Sequence, residues 1–562
     1  MYATSFVRKA KKASFMNLNK LRLGILLNSY QIPAWIYHSI EQIVQSKYAE
    51  FSLVIYNENS NVEFKNSNIL KNKRTIVYQI FNRLDERIFI HGQNAFESKN
   101  AEKLFSDVPV IKVKLEKNGV ADYIEPSEME KICEYGLDIL VNIGFETLRG
   151  DILTTSRYGV WAFRFEGNPH GFWEVVKGQP ETRSNLVVLN EEINDGVIIY
   201  SSSSSTYPFS PARNRNRSLW KISSFLPRQV ALLSLLGEKG FFLETEKYRR
   251  DKGLHLQKGA ETPPSNFLSL WLIARLLIRF VREMFSRILY LDAWFLMFSL
   301  EASESVSFKN YKKIVPPIDR FWADPFVIQK DDRYYVFIEE YALKPRKGHL
   351  SVFEVDQSGK YTMPIRILEE EYHLSYPYVF EWKGRYYMVP ESAANRTIDL
   401  YECMEFPYKW KNIMSLKENV KAVDSTLLFY HGKWWLFTGI AENEGSFPEV
   451  ELFLFFSDDL LTTDWKPHPL NPIVSDVKKA RPAGRIFSSG GKMFRPSQDC
   501  SRTYGYGFDL NEILVLSETE YVEESAVSVR PDWDKKIYAT HTYGVEGQFQ
   551  IIDAYTQRIR FL

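Results

Sequence analysis

Apolar runs separated by turns divide the 562-residue chain into three regions. In the first, residues 21–28 (LRLGILLN) and 51–57 (FSLVIYN) read as buried strands, with helical apolar spacing over 32–46 between them. Residues 137–143 and 158–165 add two more strands. Strands alternating with helical stretches predict an α/β domain over 21–245 with a mostly parallel sheet. The serine run 201–205, ahead of Thr206-Tyr207-Pro208, predicts a flexible loop leading to Arg213, Arg215 and Arg217.

The second region, 246–290, is a linker whose residues 267–290 are apolar but interrupted by Arg275, Arg279, Arg282 and Arg287. The first three are spaced four and three apart and share a helix face. A membrane-spanning helix would not carry that stripe at its centre. Two readings fit: a basic amphipathic helix lying on a membrane surface, or an interdomain helix with a solvated basic face.

The third region, 291–562, repeats. Asp324-Pro-Phe-Val-Ile leads to Tyr334-Tyr335, Tyr376-Pro-Tyr-Val-Phe to Tyr386-Tyr387, and Asp424-Ser-Thr-Leu-Leu to Trp434-Trp435. A weaker copy opens at Ala483 and leads to Met493-Phe494, and the faintest has Gly547 before Phe549 after His541-Thr542. Each copy is a strand, a tight turn and a second strand. Spacing of roughly fifty residues suits a four-stranded blade, and five copies predict a five-bladed β-propeller. Residues 293–300 (AWFLMFSL) are placed to supply the missing strand of the last blade.

Composition narrows the function. A net charge of +1 gives no field to draw nucleic acid, so no nucleic-acid partner is expected. Cys133, Cys403 and Cys500 show neither metal spacing nor a disulfide framework, which points to a reducing compartment. The basic segment 1–20 lacks the apolar core of a signal peptide. The expectation is a cytoplasmic protein, with peripheral contact at the inner membrane face if the 267–290 helix binds lipid. No cofactor and no metal are expected.

First strands line a propeller's channel, so equivalent positions ring one mouth. Asp324, Tyr376 and Asp424 open three copies. Fifteen residues after the openers stand Glu339, Glu391, Gly439 and Gln498, with Glu340 and Asp499 one further on. Paired carboxylates hold sugar hydroxyls and act as acid and base across a glycosidic bond. Asp324, Asp424 and Glu391 are therefore the catalytic candidates. Glu339, Glu340, Tyr376 and Asp499 are candidate substrate contacts. The plain alternative is that these carboxylates cap turns or pair with Arg385, Arg396, Arg481 or Arg485.

The segments FWADPF, HLSYPYVFEW, YYMVPESAANRTIDLYEC, AVDSTLL, SDVKKARPAGR and RPSQDCS resemble the N-terminal domain of plant glucosamine inositolphosphorylceramide transferases and its bacterial relatives, over roughly 305–555. That domain is similar to five-bladed glycosidases and fructosyltransferases. The resemblance implies an Asp in blade one and an Asp in blade three, matched by Asp324 and Asp424, and a Glu acid in blade four. Here blade four opens with Arg481-Pro482-Ala483 and offers no Glu, which argues against hydrolysis. Arg481 suits a phosphate or carboxylate instead.

Residues 138–200 resemble the formyltransferase fold of methionyl-tRNA and sugar-nucleotide formyltransferases, through DILVNIG, GVWAFRFEG, GFWEVVKGQPETRSNLVVL and INDGVII. The resemblance implies a catalytic Asn, His and Asp. Ala162, Arg164 and Asn194 stand at those positions, and an arginine cannot replace a general base. A shifted alignment would offer Asp195 or His170. Arg164 and an exposed loop His170 are candidate ligand contacts. No G-x-G-x-x-G pattern supports dinucleotide binding.

The sequence therefore predicts a formyltransferase-like Rossmann-type α/β domain followed by a five-bladed propeller. The favoured function is a transferase of surface-glycan or glycolipid assembly that takes a nucleotide-sugar or lipid-linked sugar. Formyl or acyl transfer to an amino-sugar nucleotide and non-catalytic carbohydrate binding are the alternatives.

Overall fold

The computed structural model describes residues 20–59, 73–118, 121–145, 147–191, 196–252, 262–301 and 308–560. Residues 1–19 of the basic N-terminal segment, and Asn194 and Asp195, lie outside the described residues. The chain forms two compact units. One takes the residues up to Trp173 with Arg183–Ser202 and Arg215–Ser269. The other takes Glu174–Thr182, Ser203–Asn214 and Leu270–Leu562.

The first unit is built on a seven-stranded sheet in the order Val197–Ser205, Glu181–Val188, Val160–Phe165, Ile139–Asn142, Leu21–Leu27, Ala49–Asn57, Val110–Val113. The four pairings from Val160–Phe165 to Val110–Val113 are parallel, and Glu181–Val188 runs antiparallel. Side chains alternate between faces with a period of two, so a strand covered on both faces is apolar throughout. Leu23, Ile25 and Leu27 pack on one face with Ile40 and Ile43 of the helix Ala34–Val44. Leu26 packs on the other with Met129 and Ile132 of the helix Pro126–Cys133. The parallel α/β core expected from the pattern is present. The serine run is not a loop: it ends the strand Val197–Ser205, and Ser201 to Ser204 are buried. Pairing with Glu181–Val188 holds the segment extended, which a turn-propensity reading of serine does not register.

The second unit contains five sheets arranged as blades. Blade one is Arg320–Lys330, Arg333–Ala342, Lys347–Asp356 and Ile365–Leu368; blade two is Ser375–Trp382, Arg385–Glu391, Thr397–Glu405 and Lys409–Glu418. Blade three is built on Ala422–Tyr430, Lys433–Ile440 and Glu451–Ser457, and blade four on Phe487–Ser489, Lys492–Asp499, Gly507–Leu516 and Tyr521–Val529. Blade five joins Tyr543–Glu546 and Phe549–Ile559 to Tyr290–Ser299 and Lys312–Ile314. The first hairpins of blades two, three and four turn through Lys383-Gly384, His431-Gly432 and Gly490-Gly491, both residues of each pair having positive φ. That backbone matches the right-handed twist of flanking strands. Tyr290–Ser299 pairs antiparallel with Phe549–Ile559 along its whole length, from Tyr290 opposite Ile559 to Ser299 opposite Gln550. The earliest strand of the unit thus closes the ring. Aromatic and branched side chains fill the wedges between successive blades, as where Trp435 and Leu454 of blade three meet Ile513 of blade four.

Gly484 sits where blade four meets blade five, at φ 135°. A Cβ there would stand 2.2 Å from the Tyr543 carbonyl oxygen. Gly484→Ala should therefore cost about 2–4 kcal/mol in denaturant unfolding. Gly547→Ala, at φ 59° but with no neighbour nearer than a Gln329 side-chain oxygen at 3.5 Å, should lose only the left-handed strain, about 1 kcal/mol. Equal losses would show that the blade junction yields.

Candidate functional site

Three blades kink their opening strand at one point. Asp324, Tyr376 and Asp424 have φ of 51°, 47° and 49°. At each, strand pairing slips through a bulge, between Ala323 and Phe326, Ser375 and Tyr378, and Val423 and Thr426. Left-handed backbone costs a non-glycine residue about 1–3 kcal/mol and persists only where its surroundings hold it. In blade four the left-handed residue is Gly484, one place beyond the Ala483 that the sequence spacing selects.

The kinks send side chains to other blades. Asp324 Oδ2 accepts the Tyr376 backbone N–H at 3.1 Å, and Oδ1 accepts the Thr542 hydroxyl at 2.9 Å. His541 Nε2 stands 3.4 Å from Asp324 Oδ1, and its Nδ1 lies 2.7 Å from Asp553 Oδ2, an ion-pair contact without hydrogen-bond alignment. Asp553 Oδ1 also accepts the backbone N–H groups of His541 and Thr542 at 2.8 and 3.0 Å. Burial raises the Asp324 carboxyl, His541 draws it down, and Asp424 and Asp553 push it up, leaving it at about 6. Burial alone would lower His541, but Asp553 and then Asp324 raise it and favour the imidazolium. Among the described residues, Asp324, His541 and Asp553 are the one group whose potential metal-ligand atoms lie within 4.8 Å of one another. Their oxygens accept from Thr542 and from backbone N–H groups, which braces the ion-pair network from both strands of the junction.

Asp424 is spoken for. Arg481 Nε donates to its Oδ2 at 2.5 Å, and Gln498 Nε2 to the same oxygen at 2.8 Å. A second Arg481 nitrogen reaches Asp424 Oδ1 and Glu391 Oε2, each at 3.3 Å. Arg481 therefore does not stand as a free anion anchor: two carboxylates of its own chain take its charge.

A cavity of about 230 Å³ opens over this network. Blade one lines it with Phe321, Ala323, Asp324, Glu339 and Tyr341, and blade two with Ser375 and Glu391, preceded by His373. Arg481 and Tyr504 come from the blade-four segment, Trp294 from the closing strand, and His541 from just before blade five. The volume lies below the roughly 300–1,000 Å³ of drug-sized sites and suits a single sugar ring. Phe321 and Tyr341 stack at 4.6 Å, and Trp294 lies 4.3 Å from His541. Such rings offer flat faces to the C–H side of a sugar while the carboxylates take its hydroxyls.

Burial first, then Asp324 and Glu391, raise Glu339 well above the usual glutamate value. Burial and Asp424 raise Glu391 in spite of Arg481. In both, the shift is toward the protonated form. The carboxyls shifted toward proton donation thus come from second strands in blades one and two, although blade four opens without a glutamate.

Of the sequence candidates, Asp324, Glu339, Glu391 and Arg481 meet at the cavity, and Asp424 lies behind Arg481. Three others turn away. Glu340 bonds to Ser351 at 2.7 Å and to Arg320; burial would raise it, but His349, Ser351 and Arg320 hold it at about 2. Asp499 pairs with Arg530 at 3.0 Å. Each follows a channel-facing residue by one, and the pleat sends it to the opposite face. Tyr376 is fully buried, its hydroxyl 2.8 Å from Thr426 Oγ1 and accepting the Gly484 N–H at 2.9 Å, so it braces the ring rather than touching a ligand.

In the first unit, Arg164 is half-buried and donates to the Phe163 carbonyl at 3.2 Å. His170 is not the exposed loop residue its Pro-His-Gly setting suggests. It is buried 2.6 Å from Ser218 Oγ, against the Phe165 ring, and burial with Arg215 nearby lowers it to about 3. Spacing alone missed Trp294, Tyr504, His541 and Asp553. A tryptophan in the ring-closing strand and a histidine beside the faintest opener were the available signals. Asp553 had none.

Residues 306–543 match the family model described as glucosamine inositolphosphorylceramide transferase 1, N-terminal. Curated relatives named glucosamine inositolphosphorylceramide transferase 1 include one from Oryza sativa subsp. japonica, 34% identical over 206 residues, and one from Arabidopsis thaliana, 35% identical over 207. Each match covers 36% of this chain and 27% of the relative, so the chain spans about a quarter of its relatives' length. Among solved structures, similar chains include Zg3597, a family 117 glycoside hydrolase of Zobellia galactanivorans, at 10% identity and TM-score 0.31, over 47% of this chain and 90% of that one. Another is the α-L-arabinofuranosidase PaAbf62A of Podospora anserina, at 10% identity and TM-score 0.33, over 42% and 90%. The propeller is thus related to the N-terminal domain of the plant glucosamine inositolphosphorylceramide transferases.

Proposed function

We propose that the propeller mouth binds an activated or lipid-linked sugar and that the chain acts as a transferase in assembling a cell-surface glycan or glycolipid. The observation that carries this reading is the acid–base asymmetry of one small cavity. Asp324 is raised to about 6, while burial and Asp324 itself push Glu339 well above the usual glutamate range. Carboxyls pushed apart in this way divide the work: Glu339 protonates the leaving oxygen, and Asp324 takes the proton of the incoming hydroxyl. The names of the plant relatives suggest an amino-sugar donor and an inositol phospholipid acceptor.

The test is to incubate the protein with labelled nucleotide sugars, amino sugars included, and inositol phospholipids. The result expected is label passing into the organic phase. A second reading, carbohydrate binding without chemistry, is favoured by the locking of Arg481 onto Asp424 and Glu391. Sugar binding in calorimetry with no transferred label would support it, and neither binding nor transfer would sink both.

A further inference from the structure

The helix Asn266–Leu289 leads directly into the ring-closing strand. From Leu270 onward it belongs to the second unit. Its inner side is fixed there: Leu272 and Leu276 are buried, Arg279 Nη1 donates to the Val175 and Pro208 carbonyls at 2.7 and 3.1 Å, and Phe280 meets Phe209 edge-on at 5.8 Å.

The outer side is apolar and bare. At 100° per residue, Trp271, Ile278, Val281, Phe285 and Ile288 fall on one stripe, separated by seven, three, four and three positions. They are 54%, 61%, 47%, 60% and 52% exposed. Scattered exposed apolar residues are ordinary, but a continuous stripe over five turns marks a docking surface. Arg275 and Arg282, both exposed, lie four positions after Trp271 and Ile278 and run along one edge of the stripe. The Arg275 guanidinium lies 5.5 Å over the Trp271 ring. The helix carries four arginines against one glutamate, and that Glu283 is paired with Arg287 at 2.8 Å. No helix among the described residues is long and apolar enough to cross a membrane.

We infer that this helix lies in the surface of an anionic lipid bilayer, with the Trp271-to-Ile288 stripe in the acyl boundary and Arg275 and Arg282 on the headgroup phosphates. The charge selects the partner. An apolar stripe alone fits a protein groove, a second copy or a lipid, but one edged by arginines complements a sheet of phosphates. Arginine also keeps its charge at the interface while its stem covers apolar surface. The inference is independent of the mouth chemistry.

The experiment is flotation of the full chain with vesicles of phosphatidylcholine alone or with about 30% phosphatidylglycerol. The protein should float with the anionic vesicles and bind the neutral ones far more weakly. Arg275→Gln with Arg282→Gln should weaken anionic binding about 30-fold and flatten its salt dependence. Ile278→Gln with Phe285→Gln should weaken binding to both vesicle types, with unfolding unchanged because both side chains are exposed. Failure of the wild-type chain to float overturns the inference. So does a wild-type dimer in light scattering that the Ile278/Phe285 variant makes monomeric while vesicle binding persists, since a second copy would then cover the stripe.

Discussion

Asp324→Asn is expected to reduce sugar affinity about 10- to 100-fold and transfer by about 10²–10⁴-fold. The first figure is the loss of a charged acceptor, about 1.5–3 kcal/mol. The second is the usual contribution of a positioned general base. The wild-type response to pH carries a sign. Asp324 sits near 6 when folded, above the ordinary aspartate value of 3.8. Sugar affinity that depends on the carboxylate therefore rises as pH passes through about 6. Stability moves the other way: a raised carboxyl favours the folded state fully below about pH 4, and that contribution is lost as pH rises through 6. Calorimetric titration across this window should show wild-type affinity climbing and the Asn variant flat. An Asn variant that folds, binds and transfers like the wild type would remove Asp324 from the chemistry.

Arg481 yields the second large effect, on stability. Its guanidinium is 9% exposed and holds Asp424 at 2.5 Å and Glu391 at 3.3 Å. Removing one member of a buried ion group strands its partners and costs about 3–5 kcal/mol, although the intact group adds little over an apolar replacement. Arg481→Met should lower the propeller's melting midpoint by about 10 °C. Adding Asp424→Asn and Glu391→Gln should recover most of that loss, because no uncompensated charge is left. Arg481→Lys should recover little, since one ammonium cannot reproduce the fork that spans two carboxylates. A melting scan in which Arg481→Met matches the wild type would show that water reaches these carboxylates.

Arg481 also shows where sequence reading stops. The repeat was legible because each blade restates one local pattern: opener, turn, paired aromatics. Local physics writes that pattern, and one chain suffices to read it. Arg481 was legible as a cation at the opening of blade four, yet its partners lie 57 and 90 residues away. No spacing rule couples those positions, so its pairing with the mouth's carboxylates stood only as the alternative to a phosphate or carboxylate anchor. Glu340 and Asp499 misled for a simpler reason. Adjacent acids in a strand point to opposite faces, and only Glu339 of the first pair reaches the mouth. His170 was judged by its Pro and Gly neighbours, whereas Ser218 on the helix Pro211–Ile222 decides its burial. The parallel core of the first unit followed from its alternating elements.

The left-handed kink at Asp324, Tyr376 and Asp424 has a broader meaning. One backbone shape serves as a socket in three blades, filled in turn by an acid, a phenol and an acid. The strain belongs to the socket and the chemistry to whatever occupies it. Where the socket holds Asp324 it feeds the cavity, and where it holds Tyr376 or Asp424 it ties one blade to the next, so a single turn of backbone serves both ligand and scaffold.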